Sequence, residues 1–594
     1  VGTVLEKLKK YFDKPLWVNR IAYYLLIFIL VLSGFAIVLS IFYTLIPDFS
    51  IIDNTALAQY NTTELRNMGF FDNERYLISA LVQSLAATIA LVVSLSLIAI
   101  QFAAESHSSR IIEFYKRNPD MWILISIYIV VIFYGLALLK VIDIGVVGIN
   151  MEIAIYFAYF LGLFAFICLI PYIWSTLNLL KISTAIKWFE EDITKENVLA
   201  ALEDGEDITE KDPVQPIIDI MNSAFERNDY ETVRNGLKVI KKNTIVILEN
   251  PLEEKEEKEI INYIIQHIAE FGIYGANKKK EIFVRDIIIS LYEIGVKAIE
   301  NERKNSFCEI TKALEQVGIK AAENELEVTL DVVLKLIEIT KKAIEKKSLE
   351  SCTLKAIRAF ENISIKTTDN RLKNINLYVV NGLQEIGAQT IEKGNENISE
   401  EIAIALGYIG TEFVKKDLRK VGFMVVRVLE EMGTEALKKE LDRTSARAIF
   451  ALGNVGAQDA KSNDPKIMKE SLDNLKNFSE SKSGNITRAI VKALQNIGMQ
   501  SIEPPVLTTI IDDLKNIGVR AAKEGLEYNL DDLISREKTD TGKIDQFEIT
   551  LASRKIDDEV IKALNSIKEN IMPNSQFKKI IIDTIQAIEN EKNN

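Results

Sequence analysis

Residues 292–323 read YEIGVKAIENERKNSFCEITKALEQVGIKAAE. The stretch ends much as it begins. YEIGVKAIE (292–300) and EQVGIKAAE (315–323) place an apolar residue, a glycine and a short Lys/Ala/Glu tail in the same order. The phrase returns as QEIGAQTIE (384–392), EEMGTEALK (430–438), GNVGAQDAK (453–461), QNIGMQSIE (495–503) and KNIGVRAAK (515–523). Its glycines are Gly272, Gly295, Gly318, Gly387, Gly410, Gly433, Gly456, Gly498 and Gly518, most of them 23 residues from a neighbour. Thr340, Ser364 and Ser479 hold the intervening slots. A fixed period of this length is the signature of a solenoid, because a unit this small buries its apolar face only against its neighbours.

Local chemistry suggests a helical hairpin for each unit. An apolar pair such as Leu383/Ile386 or Leu429/Met432 ends one helix, and the glycine after it reads as a C-terminal cap. Turn residues recur at one phase: Lys393-Gly394-Asn395, Asp464-Pro465 and Pro504-Pro505. A longer helix such as SEEIAIALGYIG (399–410) returns. The expectation is about eleven compact, HEAT-like helix–turn–helix units over 260–530, with a helical cap over 531–594. The alternative is one long helix per unit, two units making a conventional HEAT repeat; prolines inside the unit argue against it.

Toward the N-terminus the chain changes character. Four apolar segments, about 21–46, 76–104, 121–141 and 153–180, are each long enough for a bilayer core of roughly 20 residues. The first is too long for a signal-peptide core and has no small-residue cleavage site after it. Lys7, Lys9, Lys10, Lys14 and Arg20 precede the first span, Arg110, Lys116 and Arg117 lie between the second and third, and Lys181 and Lys187 follow the fourth. The 142–152 loop has no basic residue, and the 47–75 loop is acidic. The positive-inside rule therefore puts both termini in the cytoplasm of a multi-pass cell-membrane protein. The organisation expected is a transmembrane domain (1–181), a helical connector (182–259) and a cytoplasmic solenoid: an all-α protein.

The second span differs from the other three. Those are bulky and aromatic (YYLLIFIL, ILISIYIVVIFYG, YFAYFLGLFAFICLI), whereas 83–101 reads QSLAATIALVVSLSLIAIQ. On a helix, Ala80, Gln83, Ala87, Ala90, Ser94, Leu97, Gln101 and Ala104 share a face, with Glu105 at its cytoplasmic end. Small and polar side chains in a bilayer belong on a packed or wetted face. One reading is close helix–helix packing within the bundle. The other is a pore lining, in which each subunit of a homo-oligomer contributes this face around an axis and Glu105 rings the cytoplasmic mouth. No Asp, Glu, Arg or Lys lies deep in a span, no arginine series suggests a voltage sensor, and no inverted repeat suggests a self-contained transporter.

The stretch IAIQFAAESHSSRIIEFYKRNPDMWILISIYIVVIFYGLALL (98–139) resembles a widespread family of predicted bacterial and archaeal membrane proteins of unknown function. In that family a Ser-Pro-Arg turn, a short helix and the third span follow the second span; here the turn is Ser108-Ser109-Arg110. DPVQPIIDIMNSAFERNDYETVRNGLKVI (212–240) resembles the same family's first cytoplasmic helices. The resemblance implies four spans and no particular activity.

Composition narrows the chemistry. A formal net charge of −13 is unsuited to a nucleic acid partner. Three distant cysteines and two histidines exclude a disulfide framework and Cys/His zinc patterns. No phosphate-binding glycine loop, HExxH or nucleophile elbow occurs, so no enzyme is expected. In LEDGEDITEKDP (202–213), Glu203, Asp204, Glu206, Asp207 and Asp212 invite a calcium reading. With Gly205 at the invariant sixth position of an EF-hand loop, however, the first ligand falls on Ala200, so a solvated linker fits better. No firm cofactor follows. The expected partners are lipid, further copies of the chain, and a cytoplasmic protein or ligand on the solenoid. Two functions lead: a homo-oligomeric ion channel gated by its solenoid, which senses a ligand such as a divalent cation or a partner, and a membrane-anchored scaffold that docks a soluble protein; a third, one subunit of a transporter, requires a charged partner subunit.

Overall fold

A computed structural model describes residues 15–45, 72–106, 119–144, 149–179, 182–203, 212–368, 372–462, 465–501, 504–528, 554–570 and 576–593. They form helices joined by short turns, with one two-residue antiparallel pairing of Glu527–Tyr528 with Arg554–Lys555. The chain divides into two compact units, Val1–Ile193 with Glu206–Val239, and Thr194–Gly205 with Ile240–Asn594.

In the first unit, α1 (Pro15–Leu45), α2 (Asp72–Ser106), α3 (Pro119–Ile144) and α4 (Ile149–Leu179) are long helices. The stretches Arg20–Val38, Asp72–Ile98, Pro119–Asp143 and Ile153–Thr176 are long and apolar enough to cross a membrane. Their bundle is held by Tyr24, Leu85, Leu124, Tyr128, Phe160, Phe164 and Cys168, with a second cluster around Ile78, Val82, Leu138 and Ile155. Edge-to-face contacts of Phe28 with Phe160 (5.2 Å) and Phe164 (5.1 Å) fill the middle with aromatic rings. Two ion pairs pin the ends: Arg20 with Asp120 (3.5 Å), and Arg75 with Asp143 (3.3 Å). The short α5 (Ile182–Glu190) packs on α4 and on α7 (Gln215–Glu226).

The second unit includes α6 (Lys195–Glu203), the C-terminal half of α8 (Tyr230–Glu249), and α9 (Glu254–Asn277), α10 (Glu281–Glu300), α11 (Lys304–Glu323), α12 (Thr329–Ala343), α13 (Glu350–Thr367), α14 (Ile375–Glu392), α15 (Glu396–Lys415) and α16 (Arg419–Lys438). It continues with α17 (Asp442–Asp459), α18 (Lys466–Lys476), α19 (Gly484–Gln500), α20 (Pro504–Glu524), α21 (Ile556–Asn570) and α22 (Gln576–Asn593). From α9 on, each helix packs against the next; odd-numbered helices also stack on one another in one row, and even-numbered helices from α10 to α18 stack in the other. This is a two-layered α-solenoid. On α11 the buried residues Phe307, Ile310, Leu314, Val317 and Ala321 recur at helical spacing, the stripe such a layer requires.

The internal anatomy of the unit corrects the sequence-based expectation. Each 23-residue period is one long helix, not a helical hairpin, and two periods make one antiparallel pair. The repeating glycine lies inside the helix and is a packing residue. A methyl group on Gly295 would meet Ile310 of α11 and Ile339 of α12; on Gly410 it would meet Val425 of α16 and Val455 of α17. Each glycine thus marks where the following two helices meet, and Thr340 and Ser364 are fully buried in the same slots. The true cap comes seven residues later. Lys279, Glu302, Glu325, Gly394, Asp417, Glu440 and Gly525 all have φ between +52° and +69°. The following N–H closes a Schellman bond, as in Arg303 N to Ala298 O (2.8 Å) and Leu418 N to Phe413 O (2.7 Å). The prolines fall in these inter-helix turns: Pro504 opens α20, and Pro465 directly precedes α18.

Stacking also joins residues far apart in sequence. Cys308 of α11 and Cys352 of α13 form a disulfide across 44 residues. Their separation hides the contact, because the next helix of the same row lies about two periods away. The acidic run 253–259 opens α9, where Glu253 and Glu256 make a capping box and Glu257 accepts bonds from Ser306 N (3.0 Å) and Oγ (2.7 Å).

Candidate functional site

Helix α2 presents three stripes. Ile78, Val82, Leu85 and Ser96 are buried against α3 and α4, with Ile89 and Val92 half-buried in line with them. Leu77, Leu91, Leu95 and Ile98 form an exposed apolar stripe suited to acyl chains. Opposite the buried stripe, Ala80, Gln83, Ala87, Ala90, Ser94, Leu97 and Gln101 are all exposed in the single chain. The close-packing reading therefore fails inside the subunit: the helices are held by the bulky side of α2, and the small, polar side points away from them. Glu105 lies within α2, but its side chain is outside the described residues.

The hydroxyls of Thr88 and Ser94 are supplied from within this helix. Ser94 Oγ donates to Ala90 O (2.9 Å) and Thr88 Oγ1 to Ser84 O (2.7 Å), while Gln83 Nε2 reaches Ser79 Oγ (3.3 Å). Such back-bonding satisfies the serine and threonine donors without a partner helix. The glutamine amides retain acceptor and donor capacity that acyl chains cannot meet.

A polar cluster at one end of the bundle was not legible in the spans taken singly. Asp120, almost fully buried at the start of α3, accepts from Ser175 Oγ of α4 (2.5 Å) and pairs with Arg20 of α1. Nearby, Ser96 of α2 is hydrogen-bonded to Tyr172 of α4. The available signal was the placement of Arg20 and Asp120 at the starts of alternate spans, which up-and-down topology brings to the same end.

Of the calcium candidates, Asp204, Glu206 and Asp207 lie outside the described residues, as does the side chain of Glu203. Asp212 is buried, and its Oδ1 accepts from Val214 N (2.8 Å) and Gln215 N (3.1 Å). That geometry makes it a cap at the start of α7. Among the described residues, no group of three or more His, Cys, Asp or Glu converges as a metal site.

On the solenoid, α15, α17 and α19 border an open groove of about 700 Å³. Tyr408, Phe450 and Met499 supply its apolar surface, and Glu412, Arg447, Lys461, Arg488 and Lys492 its charge. Tyr408 is 62% exposed. The small residues Gly407, Ala451, Gly453 and Ala493 let these helices approach closely.

No curated protein matches the chain. Among solved structures, a circular tandem repeat protein with novel repeat topology is 11% identical, with a TM-score of 0.41, covering 67% of this chain and 98% of its own. An engineered protein is 13% identical, with a TM-score of 0.29, covering 69% of this chain and 95% of its own. Residues 20–237, which contain all four candidate spans, match the model of a family described as a predicted membrane protein, DUF2254.

Proposed function

We propose that the protein is a homo-oligomeric ion channel whose pore is lined by the small and polar face of α2. The supporting observation is the direction of that face. Gln83, Ala87, Ala90, Ser94, Leu97 and Gln101 stand opposite the side of α2 that holds the subunit together. Glutamine amides facing acyl chains are costly, whereas copies of one face around an axis offer rings of amides and hydroxyls to water. The interior of each bundle is a poor alternative route, because Phe28, Phe160 and Phe164 fill it. In this reading the solenoid is the sensor, answering a cytoplasmic ligand such as a divalent cation, or a protein partner.

The test is ion flux in liposomes reconstituted with purified protein, combined with single cysteines at 83, 87, 90, 94, 97 and 101. The expected result is flux blocked by a water-soluble thiol reagent at these positions and untouched at Leu77→Cys, Leu91→Cys and Leu95→Cys. Absence of flux across a panel of cytoplasmic ligands that includes calcium, or equal block on both stripes, would overturn the reading.

The alternative is a membrane-anchored scaffold. Its specific support is the groove on α15, α17 and α19, with exposed Tyr408 among charged side chains of both signs, a surface suited to a protein partner. A particle without a central axis along α2, together with loss of partner capture in Tyr408→Ala, would favour it.

A further inference from the structure

The array joins neighbouring helices of a row by polar links about two periods apart. Arg285 of α10 pairs with Asp331 of α12 (2.8 Å), Arg358 of α13 with Glu401 of α15 (2.8 Å), and Arg447 of α17 with Glu400 of α15 (2.9 Å). One period after Arg285, the same kind of link is made by sulfur: Cys308 of α11 and Cys352 of α13. They are the only cysteines of the second unit; Cys168, in the first, is a free thiol.

The two sulfurs are not equivalent. Cys308 is half-buried, within reach of a small molecule, and Lys304 and Lys312 stand one turn either side of it on α11. Cys352 is fully buried, as the third residue of α13, where the helix N-terminus favours a thiolate. Its Sγ lies 3.3 Å from the carbonyl oxygen of Lys304, an acceptor within reach of the Cys352 thiol once the bond is reduced. A partly exposed cysteine backed by a buried second cysteine at a helix start is the arrangement of an attacking and a resolving thiol.

We propose that Cys308 and Cys352 are a reversible thiol–disulfide exchange site whose substrate is a low-molecular-weight disulfide of the glutathione type. The Cys308 thiolate attacks one sulfur of that disulfide, forming a mixed disulfide and releasing one thiolate. The Cys352 thiolate then attacks Cys308 Sγ, forming the protein disulfide and expelling the second small thiolate. Two protein thiols are oxidised, one small disulfide is reduced to two thiols, and the two protons pass to the departing sulfurs. Reversal needs only an excess of the small thiol, the condition of the compartment to which loop charge assigns the array; in that one respect the inference rests on the sequence-based orientation. Closing the bond fixes α11 to α13 covalently at a point where other pairs in the array use a salt bridge.

The test uses the full-length protein in detergent, equilibrated with mixtures of glutathione and glutathione disulfide, acid-quenched, denatured and labelled with a maleimide polymer. The wild type is expected to fall from three reactive thiols in excess glutathione to one in excess disulfide, the two being lost together and recovered on reversal. Cys352→Ser should retain one glutathione on Cys308 by intact mass, whereas Cys308→Ser should leave Cys352 unmodified. The proposal is overturned if the bond survives excess glutathione, if both thiols stay free in excess disulfide, or if Cys308→Ser carries glutathione on Cys352.

Discussion

The two units of this protein use small residues in opposite directions. In the helical array, Gly295, Gly318 and Gly410 point inward, to where the following two helices meet. On α2, Ala80, Ala87, Ala90 and Ser94 are exposed, on the side away from the helices of their own subunit. Close approach is the shared currency, but the solvent changes its meaning. In water an outward alanine is unremarkable, and a small residue matters only where it lets helices meet. In a bilayer, an outward face that is small and polar lacks the bulk that acyl chains would favour and carries amides that they cannot satisfy, so it calls for further protein or water.

The most severe way to probe this contrast is to exchange the two sides of α2. Leu85→Ala, in the buried stripe, should cost the bundle about 3 kcal/mol and lower its unfolding temperature in detergent. Ser94→Leu with Gln83→Leu should leave that temperature unchanged but abolish assembly or flux. Equal loss of bundle stability from both changes would break the comparison.

In the array the inward direction should show as intolerance of a single methyl group. A Cβ on Gly453 of α17 would lie 2.4 Å from the Cα of Ala493 on α19, a backbone contact that no side-chain rotation relieves. Gly453→Ala should therefore cost about 2–3 kcal/mol in denaturant unfolding. Gly34, on α1, has open space around it, so its alanine variant should be neutral.

The array also places ionisable groups at its helix contacts, as Arg358 of α13 does with Glu401 of α15. Burial, and secondarily Glu401, push the Glu361 carboxyl up to about 7. A folded-state value above the unfolded one means that stability is fully present below about pH 4.5 and is lost as pH rises through about 7. The loss should be on the order of 1 kcal/mol after allowance for screening, seen as a falling unfolding temperature across that window. Glu361→Gln should flatten the profile; an unchanged slope would remove Glu361 as its source.

The smallest effect should come from the caps, where glycine's freedom counts and the packing glycines play no part. Glu440 adopts φ +59° at the end of α16, so Glu440→Gly should gain about 0.5 kcal/mol, and Gly394→Ala, at φ +69°, should lose about 1 kcal/mol. A loss on Glu440→Gly would show that its side chain contributes more than its backbone costs.

Much of the architecture was legible in the chain. The spans emerged from uninterrupted hydropathy, and Pro465 and Pro504 marked turns that the structure keeps. The misreading concerned the glycine. A glycine after an apolar pair looks locally like a helix end, and nothing within 23 residues reveals that two other helices converge on it. The real caps were obscured because Lys279, Glu302, Asp417 and Glu440 are ordinary surface residues forced into a left-handed conformation by the Schellman bond. Asp212 misled in the opposite sense: in an acidic run it resembles a ligand, whereas its oxygen caps backbone N–H groups.

The sequence by itself determined the repeat period, the number of spans and the amphipathic division of α2, because each is a pattern of residue types along a single helix or between adjacent ones. Only the tertiary structure decided which side of α2 the subunit uses, that Asp120 joins α1 to α4, and that Cys308 meets Cys352. Those facts depend on partners reached by chain reversal, 44 residues away for the cysteines and 55 for Ser175 and Asp120. Periodicity fixes the direction of a side chain about its own helix axis; what stands in that direction is settled when the other helices take their places.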